Sequence, residues 1–327
     1  MKFRTEIEHL QLSEKIGYRS RIFAAGSCFA DSIASRLQAA RFRVAANPAG
    51  VMFNPVSVAA MISRCAECRG VSSDEVRRGA EGMFHFDFHG SFTRPSAAEA
   101  AAVMTRAVEE GSRALAAADT VIITLGTAWV FRHAETGRIV ANCHKEPASA
   151  FVRERLSVED TVQTLESLLS GPLAGRHVIL TVSPVRHKAD GLSGNMVSKA
   201  VLRLAVDEVV SRHERVDYFP SFEIMYDDLR DYRFYDRDMV HPSAEAVDYI
   251  AEKFLQAAAD SEALSLMPRV EAVVAAAAHR PLHPRSDAWR TFLERTLAES
   301  ASLPGFIDLD AERMVLNERL RTARQTQ

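Results

Sequence analysis

Cysteine is scarce, with four in 327 residues, so a disulfide scaffold is excluded and reduced thiols in a cytoplasmic setting are expected. Long hydrophobic runs are missing as well. The longest aliphatic stretch, Ala272 to Ala278, is flanked by Glu271 and His279 and falls far short of the ~20 apolar residues that a membrane span requires. The opening residues, Met1 to His9, break their apolar positions with charges, which leaves no room for a secretory signal core. An excess of one charge is absent too: 40 Lys and Arg stand against 43 Asp and Glu, a formal net charge of −3. Without a basic surplus, nucleic acid is not expected as a partner. Neither a repeat of fixed period nor a long low-complexity tract is present. The chain also lacks Gly-x-x-x-x-Gly-Lys, Gly-x-Gly-x-x-Gly after a strand, His-Glu-x-x-His and Gly-x-Ser-x-Gly. Nucleotide-binding, zinc-protease and ordinary α/β-hydrolase readings fall with them.

What remains is an ordinary globular composition, 47% hydrophobic and 25% charged. Its length allows two domains or one enlarged domain. Short β-branched apolar clusters alternate with longer segments of helical period, the rhythm of parallel strands joined by crossover helices. Strands are expected at Arg21 to Ala25, Phe42 to Ala46, Thr120 to Leu125, His177 to Val182 and Val216 to Phe219. Helices are expected at Cys28 to Ala40, Pro55 to Cys65, Ala97 to Ala117, Ser157 to Ser170, Met196 to Arg212 and Ser243 to Ala259. The fold class is therefore α/β, a doubly wound sheet over residues 1–259, with residues 260–327 as a helical C-terminal extension ending in an unstructured tail. Two stretches interrupt the rhythm as lid or rim insertions: Gly70 to Pro95, and Phe131 to Lys145, a hairpin turning at Glu135-Thr-Gly-Arg138.

Ser27 stands where the first strand meets a helix N-terminus, the place at which open α/β sheets present ligands. It reads either as a nucleophile or as a plain N-cap. Asp238-Met-Val-His241-Pro-Ser243 precedes the last helix of the α/β portion. An aspartate three residues ahead of a histidine can accept its Nδ1 hydrogen and leave Nε2 as a base. The same pair also reads as helix capping. A serine hydroxyl needs such a base before it can attack a carbonyl, so Ser27, His241 and Asp238 together make a candidate triad.

Three further patterns stay open. In an extended segment Phe84 to His89, His85, Asp87 and His89 share one face, as a substrate-facing rim, a solvated face or a metal site, although alternate positions ~6.5 Å apart splay ligands too widely for one ion. Cys65-Ala-Glu-Cys68 lacks the second ligand pair of a zinc site, and Cys28 reads as a packed thiol or a rival nucleophile. Arg186-His187-Lys188 and Asp227 to Arg233 place charge near strand ends, where an anionic substrate group could dock.

Gly26-Ser27-Cys28-Phe29-Ala30 is similar to the signature of the GSCFA family, within the SGNH/GDSL hydrolase-like superfamily. Asn54-Pro55, Leu125-Gly-Thr-Ala128, Asn142-Cys143-His144, Thr181 to His187, Ser198-Lys199-Ala200 and Asp238 to Pro242 support the resemblance from Phe23 to Phe254. It implies a flavodoxin-like three-layer sandwich with Ser27 as nucleophile, His241 as base and Asp238 as its orienting acid. It further implies an ester hydrolase or acyltransferase without metal or cofactor, acting on small acyl esters, including those of carbohydrates. A non-catalytic glycan- or metabolite-binding module is the alternative; the oligomeric state is left open. The superfamily pattern draws oxyanion donors from a glycine, here Gly50, and from an asparagine in a Gly-x-Asn-Asp block. The corresponding block reads Gly126-Thr127-Ala128-Trp129, which has no carboxamide. Losing one donor costs on the order of 10²–10³ in turnover. Asn54, Asn142 or His144 is the candidate replacement, and His89 a candidate rim contact.

Overall fold

The computed structural model describes residues 4–8 and 10–324. Five parallel strands form its centre: β1 (Arg21–Gly26), β2 (Arg43–Ala46), β3 (Thr120–Leu125), β4 (His177–Val182) and β5 (Val216–Phe219). They lie in the order β5-β4-β3-β1-β2. The order reverses beside β1, and at such a switch point the loops leaving β1 and β3 diverge and open a crevice. β3 and β4 are buried at every position, as strands covered by helices on both faces must be.

Alternate residues along each strand feed opposite faces. Ile22 and Ala24 of β1, with Ile122 and Ile179, pack beneath α1 (Cys28–Ala39). Phe23 and Ala25, with Val121, Ile123 and Leu180, pack beneath α2 (Pro55–Ala66), α3 (Ala97–Ala117), α4 (Val158–Ser170) and α5 (Gly191–Val210). Polar side chains start these helices. Ser27, Asn54, Ser96 and Ser157 each accept an amide hydrogen of the first turn, and Ser157 does so within a reciprocal capping box with Asp160. The α/β portion closes with α6 (Ala244–Ala258), on the α1 face.

The extension comprises α7 (Ser261–Ala278), α8 (Asp287–Ser302) and α9 (Asp310–Arg324). Val270, Leu293, Leu309 and Leu316 join the apolar cluster that contains Leu37 and Phe42. Arg41 pairs with the buried Glu312, and Arg43 donates to the Phe306 carbonyl at 2.9 Å. The expected unstructured tail falls on residues 325–327, outside the described residues. Among the described residues no helix is long and apolar enough to cross a membrane.

The insertions differ from expectation in one respect. Residues 84–89 do not form an extended strand: Gly82–Phe84 pairs with Arg77–Gly79, and the chain then turns. The cause is local, because the His85 ring accepts the Asp87 amide at 3.0 Å and curls the backbone away from extension. His85, Asp87 and His89 therefore do not share a face. The hairpin is present as Trp129–His133 against Ile139–Val140, joined on its other side by Phe151–Arg155, a strand that periodicity did not reveal.

Candidate active site

β1 ends at Gly26, whose φ of 137° is left-handed. A Cβ at this position would lie 2.1 Å from the Thr124 carbonyl oxygen, so only glycine allows β1 and β3 to approach so closely at the turn. Ser27 follows with extended backbone and caps α1, its Oγ accepting the Phe29 amide at 3.3 Å. The Ser27 amide donates to the Thr124 carbonyl at 3.0 Å. The residue is 1% exposed. Its hydroxyl makes no hydrogen bond to His241 in this structure.

Asp238 and His241 form a tight pair. Asp238 Oδ2 lies 2.6 Å from His241 Nδ1, while Oδ1 accepts the Val240 and His241 amides at 2.8 and 3.0 Å. The positive φ of Met239, 58°, curls the loop so that one carboxylate reaches all three groups. These bonds, led by that to the imidazole, hold the Asp238 carboxyl well below the usual carboxylate range. The His241 side chain remains 48% exposed, and its Nε2 has no hydrogen-bond partner among the described residues. The Arg186 amide, bonded to the Val240 carbonyl at 3.1 Å, ties this loop to the segment leaving β4.

Two further residues belong to this region: Lys199, which sequence reasoning left without a role, and His187, read there as part of a charged segment where an anionic group could dock. Lys199 of α5 is 1% exposed and donates from Nζ to the carbonyls of Gly126 at 2.6 Å and Ser183 at 2.7 Å, just past the ends of β3 and β4. Burial pushes its ammonium down to about 7, and the Cys28 side chain, next to Ser27, is the group that acts against this. The imidazole of His187 also bonds the Gly126 backbone; burial, reinforced by Lys199, pushes it down to about 4, and His241 adds to the effect. Lys199 and His187 thus converge on the Gly126 backbone, two residues past Thr124, whose carbonyl holds the Ser27 amide. The signal for Lys199 was a cation on the same helical stripe as Asn195, Ser198 and Leu202, all buried.

The expected oxyanion donors are mostly engaged. The Gly50 amide donates to Asn47 at 2.8 Å, and at its φ of 84° a Cβ would sit 2.3 Å from that of His89, so His89 packs directly on Gly50. The Gly126 amide donates to Phe53 at 2.7 Å. His144 Nε2 lies 3.0 Å from both the His85 and Phe88 carbonyls, and its ring stacks on Phe84 at 4.3 Å, fastening the insertion. Asn142 Oδ1 accepts the His144 amide, and Asn54 Oδ1 the Ser57 amide that caps α2. The carboxamide nitrogens of Asn54 and Asn142 have no hydrogen-bond partner among the described residues. Asn54 is the more buried of the two and follows Phe53, the residue bonded to Gly126.

Burial raises the thiols of Cys28 and Cys65, the latter to about 11, which makes both poor thiolates. Among the described residues, no cluster of three or more metal-ligating side chains occurs.

The architecture is thus an α/β sandwich with a serine, a carboxylate–imidazole pair and a buried lysine at the carboxyl ends of its strands. A model of the GSCFA family matches residues 21–254, and one described as the GSCFA domain protein, C-terminal domain, matches residues 270–322. The chain belongs to the GSCFA family. Comparison with curated proteins finds no match.

Proposed function

We propose that this protein is a serine ester hydrolase or acyltransferase, related to the SGNH/GDSL enzymes, that acts on small acyl esters, carbohydrate esters among them. The observation that carries the reading is the Asp238–His241 pair at 2.6 Å, with Nε2 unpartnered among the described residues, on a loop hydrogen-bonded through the Arg186 amide to the segment leaving β4. In this reading His241 Nε2 removes the Ser27 proton as Oγ attacks the acyl carbon. The C–O bond to the leaving alcohol then breaks, and that alcohol takes the proton from His241. Water or a sugar hydroxyl releases the acyl group by the reverse relay. The reaction requires the Ser27 hydroxyl, whose oxygen accepts the Phe29 amide, to turn its hydrogen toward the imidazole, and the exposed loop to close inward. The Asn54 carboxamide is the proposed oxyanion donor, and Lys199 supplies positive potential from below. A cytoplasmic location accompanies this reading.

A second reading has its own support. The Ser27 hydroxyl and amide and the Gly50 amide are all engaged inside the protein, as expected of a module that binds a glycan or metabolite on this fold without turnover.

Hydrolysis of p-nitrophenyl acetate by wild type and Ser27→Ala, together with fluorophosphonate labelling, separates the two. The enzyme reading expects about a 10³-fold or greater loss in the variant and one phosphonyl adduct on Ser27. Equal rates and no adduct establish the binding module.

A further inference from the structure

Next to the dyad loop lies a cleft of about 190 Å³ that the proposed chemistry does not use, formed where the segment after β4 meets residues 225–235. Its walls are aromatic and basic. The Arg186 guanidinium lies 3.8 Å over the Tyr235 ring and 5.7 Å from that of Tyr232. The Arg186 side chain also hydrogen-bonds Tyr235, which fixes the cation at the cleft wall, where a guanidinium is suited to planar anions. Tyr232 is 66% exposed and Tyr226 41%, so flat polarizable surface is open to a ring.

The charge of this cleft is unbalanced. Neither Arg186 nor Arg230 pairs with a carboxylate among the described residues. Asp231, the acid on this wall, is occupied: Oδ1 accepts the Arg233 amide at 3.0 Å, and Oδ2 lies 3.6 Å from the Arg233 guanidinium. The cleft is also tied to the base. The Arg186 amide bonds the Val240 carbonyl, and Tyr235 bridges to Pro242, so both walls are hydrogen-bonded to the loop that carries His241.

We propose that this cleft binds a carboxylate borne on the ring of the esterified substrate, the carboxylate on Arg186 and Arg230 and the ring on Tyr232. As a leaving-group subsite it rests on the esterase reading; as a binding site it stands alone. A uronate sugar and a hydroxybenzoate share this chemistry, and the experiment distinguishes them.

Acetate release from 4-acetoxybenzoate is measured against its methyl ester, and from an acetylated glucuronate against the matching acetylated glucose. The expected result is a kcat/KM preference for the acid of about tenfold, carried by KM, the equivalent of one charge-assisted hydrogen bond. Arg186→Gln brings that ratio to about one, and the exposed Arg230→Gln lowers it less. Preference in one arm alone names the source. Independently, 4-hydroxybenzoate and glucuronate are titrated into wild type, Ser27→Ala and Arg186→Gln while thermal melting is followed. A shift present in the first two proteins and lost in the third, without turnover, upholds the subsite and removes the esterase reading. Turnover with no acid preference and no shift overturns the subsite and leaves the esterase reading standing. A preference or shift that survives in Arg186→Gln, or the absence of both turnover and shift, also overturns it.

Discussion

Around Ser27 the polar groups are paired inside the protein: the hydroxyl with Phe29, the amide with Thr124, and the Lys199 ammonium with two strand-end carbonyls. Around His241 the pattern is the reverse, because Asp238 and His241 satisfy each other and leave Nε2 facing solvent on a half-exposed loop. The floor is built like a core, where an unpaired polar group is costly. The rim is built from a short turn held by its own hydrogen bonds and half-exposed to solvent. Under the proposed esterase reading, a site divided this way holds Ser27 in the floor and delivers His241 from outside, so substrate-driven loop closure, rather than the resting geometry, would assemble it.

The largest effect that could break this comparison lies on the rim. Asp238→Asn leaves the loop amides an acceptor but supplies the wrong partner for the imidazole, and ester turnover is expected to fall about 10²–10⁴-fold. Because the carboxylate is exposed, the melting temperature should hardly move. A variant that melts early and still turns over normally would assign Asp238 to the structure alone.

The floor answers in stability instead. Lys199→Met leaves the Ser183 carbonyl without its lysine donor and the Gly126 carbonyl with His187 alone, and is expected to cost about 2–4 kcal/mol, read by urea denaturation. Its pH dependence sharpens the contrast. With the folded group near 7 and its ordinary value at 10.5, the unfolded chain binds the extra proton between these limits, so this lysine adds stability as pH rises from 7 and subtracts it on return. Wild-type stability minus that of Lys199→Met should therefore climb between about pH 7 and 9, below the range in which the tyrosines titrate. A flat difference would show that burial of the ammonium carries no such penalty.

A smaller effect is expected where the insertion meets the floor. Gly50→Ala forces a Cβ to within 2.3 Å of His89 Cβ at a left-handed φ. A cost of about 1–3 kcal/mol is expected in the same unfolding assay. The clash must shift the Gly50 backbone or His89, so if the Gly50 amide is not a donor to substrate, the kcat remaining in the folded fraction should stay close to wild type.

Much of the frame was legible because buried parallel strands and amphipathic helices write their periods directly into composition. Thr120 to Leu125 and His177 to Val182 were read to the residue. α5 begins at Gly191 rather than at Met196, since the short polar segment before it carries no apolar stripe. The alternation Phe84 to His89 misled for a related reason: period two describes a strand only if the backbone is extended, and one ring-to-amide bond from His85 overrides it. In the site, Ser27, Asp238 and His241 were legible as residue types at structural junctions. Lys199 was not assigned a role, because nothing local distinguishes a buried lysine on a helix from a solvated one, and His187 was read only as part of a charged segment near a strand end.

The order of apolar and polar residues determined by itself that this chain forms a doubly wound α/β sheet with a serine at its first turn, because burial and capping are local preferences summed along the chain. The Asp238–His241 pair too is a matter of three residues in one loop. Only tertiary structure decided that the ends of β3 and β4 meet over a lysine from α5, that His89 rests on Gly50, and that Arg186 lies over Tyr235 beside the His241 loop. Those contacts join residues distant in sequence, and their energies depend on burial and orientation, which exist only after the sheet has closed.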